Sequence, residues 1–371
     1  MSYLDFSIYN GTKQYFKLYD VYIKTSGNNK EDLYYKLCIN NSSYRRARET
    51  EQRVGKEIIH KLSKFFSFKV PKEATIKELQ NVANRIYDNL YFKIYDTYEE
   101  DLEYINNLLN HKSLLFPILN LLKLFMLVNN KSPRLSITED KELYNNVAMY
   151  WKFFTPELNE ILEILGLFFE DNVHDEWSHN YNNAMAYQIL ASKYYVQKKY
   201  LEAILFATKS KEMLIADSNF MRYFTNNRTL MNCLLFVGNY EECNIIAAKQ
   251  LLAVKALNYS EYEKEIAEDF LYVSLLGLMK YEYIIEKLKD QDDFNLNRLT
   301  CLLVSLYATN KSSLNQYIKE NINYDELDDY YCEYIKGLIY YLNHKDKKLL
   351  GKLEKYDVIG SIFEILKKNL K

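Results

Sequence analysis

The chain has 371 residues, 48% of them hydrophobic, enough to bury a sizeable core. Its nine glycines and four prolines argue against an α/β enzyme built on many phosphate loops and tight turns, and predict a mostly helical, all-α chain. The formal net charge of −2 hides a basic head on an acidic body: residues 1–72 carry 14 Lys and Arg against 7 Asp and Glu, and the remainder 34 against 43. That is the distribution expected if only the head meets a polyanion.

Residues 11–25 (GTKQYFKLYDVYIKT) place Tyr15, Leu18, Tyr19 and Tyr22 at helical spacing, and SGNN ends that first helix. KEDLYYKLCI is a short second helix, and NNSS (40–43) is a tight connection. A third helix begins at Ser42 or Ser43, with capping hydroxyls; Tyr44 and Ala47 turn inward, leaving Arg45, Arg46 and Arg48 toward solvent. VGKEIIHKLSKFFSF is a fourth, with Val54, Ile58, Leu62 and Phe65 on one stripe. Two short helices joined by a short turn, the second carrying exposed Ser and Arg, predict a helix-turn-helix.

LYYKLCINNSSYRRARE…VGKEIIHKLSKFF resembles the phage-repressor (Xre-like) helix-turn-helix family. Leu33 and Leu37 match its second-helix core positions, and Ile39 its turn hydrophobe. Cys38 stands where that family usually has glycine, and no Gln opens the second helix. The resemblance implies that Ser42, Ser43, Arg45 and Arg46 lie on recognition-helix positions used against bases and phosphates. Arginine suits this role because its fork binds guanine N7 and O6, or a phosphate, bidentately. Arg48 extends the set, and Lys36, Arg53, Lys56 and Lys61 are the expected sequence-independent phosphate contacts.

Beyond residue 72 the chain reads as helix after helix. The most apolar run, SLLFPILNLLKLFMLV (113–128), is interrupted by Pro117, Asn120 and Lys123. It falls short of the roughly 20 residues a membrane span needs and predicts a buried helix. HDEWSH (174–179) lacks the HExxH pattern and the spacing that puts two imidazoles on one helical face, so a loop is expected there and no metal site.

A repeat follows in 187–208, 227–248 and 268–288, where Tyr200, Tyr240 and Tyr281 open second helices 40 and 41 residues apart. Ala203, Cys243 and Ile284, three residues on, face the preceding helix; Leu314 and Leu349 take that place in two weaker copies. KKYLEA and GNYEEC resemble the turn of tetratricopeptide (TPR) repeats, although the period exceeds the roughly 34 residues of standard TPR and the closing proline is missing. The resemblance implies a TPR-like α-solenoid whose concave face suits an extended peptide. In that register Gln188, Ser192, Tyr195, Arg228, Asn232, Asp269, Tyr334 and Tyr341 point into the concavity. Asn and Gln suit a peptide's backbone amides, and Arg228 a terminal carboxylate.

A repressor-like head followed by a TPR-like array resembles the layout of the RRNPP-type (Rgg-, PlcR-, PrgX- and AimR-like) peptide-pheromone receptors. This implies a cytoplasmic, homodimeric transcription regulator of the quorum-sensing kind. Residues 1–72 would bind a double-stranded DNA operator and residues 73–371 a short signalling peptide, with no membrane partner. No GxxxxGK[ST], GxGxxG or GxSxG motif occurs, so neither enzymatic activity nor a cofactor is expected. The five cysteines include no CxxC pair, and buried free thiols in a reducing compartment are expected. The competing reading is a TPR-like scaffold that binds a protein partner without sequence-specific DNA recognition.

Overall fold

The computed structural model describes residues 4–9, 11–49, 53–130, 137–169, 181–291, 295–325, 327–356 and 358–369. Every regular element among them is helical apart from one isolated bridge between Lys69 and Ser113, so the chain is all-α as expected. It divides into two compact units, Met1–Asn180 and Tyr181–Lys371. The boundary expected after residue 72 lies inside the first of them.

The first unit opens with a 3-10 turn (Ser7–Tyr9), then α1 (Thr12–Thr25), α2 (Lys30–Lys36), α3 (Asn41–Glu49) and α4 (Arg53–Phe66). It continues through α5 (Glu73–Phe92), α6 (Tyr98–Leu109), α7 (Phe116–Asn130), α8 (Ile137–Ala148) and α9 (Pro156–Phe169). α1 buries Tyr15, Phe16, Leu18, Tyr19 and Ile23 and packs against α3 and α4. Tyr19 and Ser63 share a buried 2.7 Å hydrogen bond across that contact. On α4 the buried stripe is Ile58, Ile59, Leu62 and Phe66, whereas Phe65, expected inward, is 43% exposed. At about 100° per residue, Phe66 falls in the middle of the arc covered by the buried Ile58, Ile59, Leu62 and Ser63, whereas Phe65 lies beyond its Ile58 edge. The side chain of Val54, expected on the same stripe, lies outside the described residues.

α7 is the buried helix expected from its composition: Leu119, Leu121, Leu122, Leu124 and Phe125 are fully enclosed. The first four helices are continuous with this core. Tyr9 donates to the Leu114 carbonyl (3.1 Å), Gln80 donates to the Leu4 carbonyl (3.1 Å), and Phe68 stacks on Phe116 with ring centroids 5.5 Å apart.

The second unit comprises α10 (Ala184–Val196), α11 (Tyr200–Ala216), α12 (Phe220–Val237), α13 (Tyr240–Ala256), α14 (Glu261–Gly277) and α15 (Tyr281–Leu288). α16 (Leu296–Thr309), α17 (Lys311–Asn321), α18 (Asp329–His344), α19 (Lys347–Leu353) and α20 (Ser361–Asn369) complete it. Five turns from α10 to α15 share one backbone form. Lys198, Ser218, Gly238, Asn258 and Met279 take φ between +45° and +83°, at spacings of 20, 20, 20 and 21 residues. The N–H after each returns to a carbonyl five residues back: Lys199 to Tyr194, Asn219 to Leu214, Asn239 to Leu234, Tyr259 to Val254 and Lys280 to Leu275, at 2.8–3.1 Å. This closure satisfies carbonyls that the helix end leaves unpaired.

Tyr200, Tyr240 and Tyr281 open α11, α13 and α15 as predicted, and Ala203, Cys243 and Ile284 are fully buried. Leu314 holds the same place in α17, but in α19 the buried residue is Leu350 and not the expected Leu349. The reason is local: Asp346 caps α19 by accepting the Lys348 N–H at 2.9 Å, so the helix starts at Lys347 and its inward position falls three residues later. The alternate helices α10, α12, α14, α16 and α18 contact one another in succession. A polar chain crosses this row: buried Asn227 donates to Gln250 (3.2 Å), Gln250 to Glu263 (3.5 Å), and Arg228 to Glu263 (3.0 Å).

Candidate functional site

Two sites emerge, one in each unit. In the first, α2 ends at a turn where Cys38 takes φ +50° and the Ile39 N–H returns to the Tyr34 carbonyl at 2.9 Å. Asn40 Oδ1 accepts the Ser42 N–H at 2.8 Å, so α3 starts at Asn41. Ser42 and Ser43 therefore sit inside the first helical turn and do not cap it, contrary to expectation. Leu33 and Ile39 are buried beneath the turn, while Leu37 is half-buried.

Tyr44 and Ala47 anchor α3 inward, Tyr44 by an edge contact with Phe16 (5.0 Å) and a 2.9 Å hydrogen bond to Asp20. The opposite face presents Ser42, Arg45 and Arg46, all exposed, with exposed Arg48 on one flank. Asp20 ties three helices together: it lies 2.6 Å from Lys30 and 3.3 Å from Arg48, besides accepting from Tyr44. Arg45 Nε stands 4.0 Å from Glu49, a pair too exposed to fix either side chain strongly. Lys36 and Lys56 are exposed; the Arg53 side chain lies outside the described residues. Lys61 is exposed as well. Its ammonium donates to the Leu37 and Cys38 carbonyls (3.2 and 3.3 Å), where it closes the C-terminal end of α2.

In the second unit a cleft of about 620 Å³ runs along the row of alternate helices. Four of the residues expected in a concavity line it: Tyr195, Arg228, Asn232 and Asp269. Arg228 lies 5.3 Å from the Tyr262 ring centroid and is paired with Glu263, while its Nε is buried without a hydrogen-bond partner among the described residues. Asn232 lines the cleft and donates to the Arg228 carbonyl at 3.1 Å. Asp269 is buried and accepts from Asn295 and Asn297, each at 2.8 Å, with Arg298 Nε at 3.3 Å. Burial raises its carboxyl above the ordinary aspartate range, against the opposing pull of those two amides and the guanidinium.

The other four expected residues do not line the cleft; Ser192 donates to the Gln188 carbonyl at 3.0 Å. Gln188 is buried and accepts from Arg222 at 2.9 Å. Tyr334 is fully enclosed and shares a 2.6 Å hydrogen bond with Thr300; Tyr341 is 4% exposed. Tyr334 and Tyr341 put their rings in the core, where the Tyr334 hydroxyl finds its partner in Thr300. Sequence reasoning missed Tyr262, Glu265, Asn297 and Tyr331 of the lining. Tyr262 and Glu265 lie seven and four residues before Asp269, a helical spacing that marks one face of α14. Segment 358–360 also lines the cleft and carries no comparable signal.

HDEWSH falls outside the described residues, and among those described no cluster of His, Cys, Asp and Glu could hold a metal ion. No described helix is long and apolar enough to cross a membrane. Compared with protein-family models, with curated proteins and with solved structures, the chain matches none.

Proposed function

We propose that this chain is a cytoplasmic DNA-binding transcription regulator, acting as a homodimer, whose second unit binds a short extended peptide that alters DNA binding. The observation that carries the reading is the face of α3. Tyr44 and Ala47 hold it to the unit while Ser42, Arg45 and Arg46 are exposed on its other face, which suits entry of that helix into a major groove. Cys38 supports the helix-turn-helix assignment, since it adopts the left-handed conformation at the position where Xre-like sequences usually place glycine. The charge segregation supports it independently.

On this reading the peptide lies along the row of alternate helices, with Asn232 as a partner for its amides. The peptide acts by preferring one arrangement of the paired DNA-binding heads, because only a difference in affinity between states shifts an equilibrium. Twofold symmetry calls for half-sites about one helical turn apart, or a multiple of it.

The test is fluorescence anisotropy of labelled duplex from the chain's own upstream region against a scrambled duplex, over a salt series. Arg46→Ala should cost about 1–3 kcal/mol of preference for the native sequence if Arg46 reads a base. Equal binding of both duplexes by wild type would refute operator recognition in that region. It would favour the scaffold reading, which rests on the cleft alone.

A further inference from the structure

On the Arg48 flank of α3 lies a groove of about 820 Å³, bounded by α1, by the end of α3 and by the turn between α8 and α9. Lys13, Lys17, Arg48 and Lys152 line it, against Asp20 and Glu49. Asp20 pairs with Lys30 at 2.6 Å and with Arg48 of the groove itself at 3.3 Å, and Glu49 has Arg45 at 4.0 Å, leaving four lining cations against two carboxylates. The groove is thus positive on balance. Its outer wall is Trp151, 55% exposed, with the Lys152 ammonium 5.2 Å from its ring centroid. Asn159 of α9 holds that turn in place by donating to the Trp151 carbonyl at 3.0 Å.

We infer that this groove carries the sugar-phosphate strand beside the major groove that α3 enters, so that the DNA interface extends from the helix-turn-helix onto the α8–α9 turn. The inference rests on the DNA reading above. A major groove is about 12 Å wide, so side chains flanking a helix inside it stand next to the phosphate strands. Lysines spread along a groove suit that ligand: each is a mobile point charge that needs a phosphate but no particular base. A long indole wall suits the apolar edges of the sugars. The acidic alternative, a polypeptide rich in Asp and Glu, presents carboxylates without a regular spacing. It also gives no reason for the groove to adjoin the exposed face of α3.

The experiment is duplex binding by the full chain, followed by anisotropy against salt, for wild type, Arg46→Ala and the triple variant Lys13→Gln/Lys17→Gln/Lys152→Gln. Circular dichroism checks that each is folded. Each phosphate contact contributes about 0.9 to the slope of log affinity against log salt. The triple variant should therefore flatten the slope by about 2 to 3, and lower affinity at about 0.15 M salt roughly 30-fold or more, for native and scrambled duplex alike. Duplex should also change the tryptophan emission of the wild type and not that of Trp151→Phe. A folded triple variant with the wild-type slope would overturn the inference. If Arg46→Ala still lost its sequence preference, the DNA reading itself would stand. Absence of any duplex binding by wild type would remove both.

Discussion

Gly277 closes α14 directly beneath the ring of Tyr240, and replacing it with alanine tests how the repeated helices seat on one another. A Cβ at Gly277 would lie 2.6 Å from both Cγ and Cδ1 of Tyr240 and 2.9 Å from Cδ2. Those atoms are at the root of the ring, next to the Tyr240 backbone, so the ring cannot swing aside without moving the start of α13. At the equivalent place one repeat earlier, Phe236 stacks on Tyr200 with centroids 4.6 Å apart, ring on ring instead of ring on backbone. Overpacking of this kind costs about 1–3 kcal/mol, offset by about 1 kcal/mol of helix propensity gained over glycine, for a net loss of up to about 2 kcal/mol. In a Tyr240→Ala background the obstruction is gone and the same substitution should stabilise, by up to about 1 kcal/mol. The double-mutant cycle should therefore show about 2 kcal/mol of coupling, within the range of residues in direct contact. Urea unfolding of the four proteins by circular dichroism, with the denaturant slope checked for constancy, measures it. Gly277→Ala stabilising both backgrounds equally would refute the packing argument.

Burial pushes the Cys233 thiol up to about 12, and those of Cys243 and Cys301 further still, so below that pH these groups stay protonated and enclosed. Alkylation of the native protein at neutral pH, read by mass spectrometry, should modify exposed Cys38 and spare these three until the chain is unfolded. Tyr334→Phe should cost about 1 kcal/mol, because Thr300 keeps its bond to the Leu296 carbonyl, whereas Tyr334→Ala should cost about 3–5 kcal/mol in denaturant unfolding. Lys198→Gly and Met279→Gly should each leave stability unchanged or raise it by up to about 1 kcal/mol, since both residues hold a left-handed conformation that disfavours a Cβ; a clear loss in thermal unfolding would contradict the strain argument.

Helix content and the three tyrosine-marked helix starts were legible in the sequence because periodicity and turn chemistry act locally. The inward Ala203, Cys243 and Ile284 followed from that register alone. What failed were details that depend on one hydrogen bond or one residue of drift. Asn40 captured the start of α3 ahead of two serines, Asp346 set the start of α19, and Phe66 displaced Phe65 from the core. For the cleft, Tyr195, Arg228, Asn232 and Asp269 were found because they share one helical face per repeat. Tyr334 and Tyr341 were misplaced because a tyrosine has an apolar body as well as a polar tip, and helical spacing does not say which of the two the neighbours will claim. The Asp20 junction of Lys30, Tyr44 and Arg48 joins residues up to 28 positions apart, and no local pattern announces it.

The shared turn in the second unit separates what can vary there from what cannot. Its bonds run backbone to backbone, so lysine, serine, asparagine and methionine each occupy the position that glycine holds at 238, at a cost of about 1–2 kcal/mol apiece. Letters at the turns are thus free to drift. Spacing is not: one residue inserted within any of these helices would rotate every later side chain by about 100° and carry Cys243 or Ile284 off its neighbour. Selection acting on such an array would tolerate substitutions at its corners and purge insertions and deletions from its helices, leaving a lineage whose lengths stay constant while its sequence wanders.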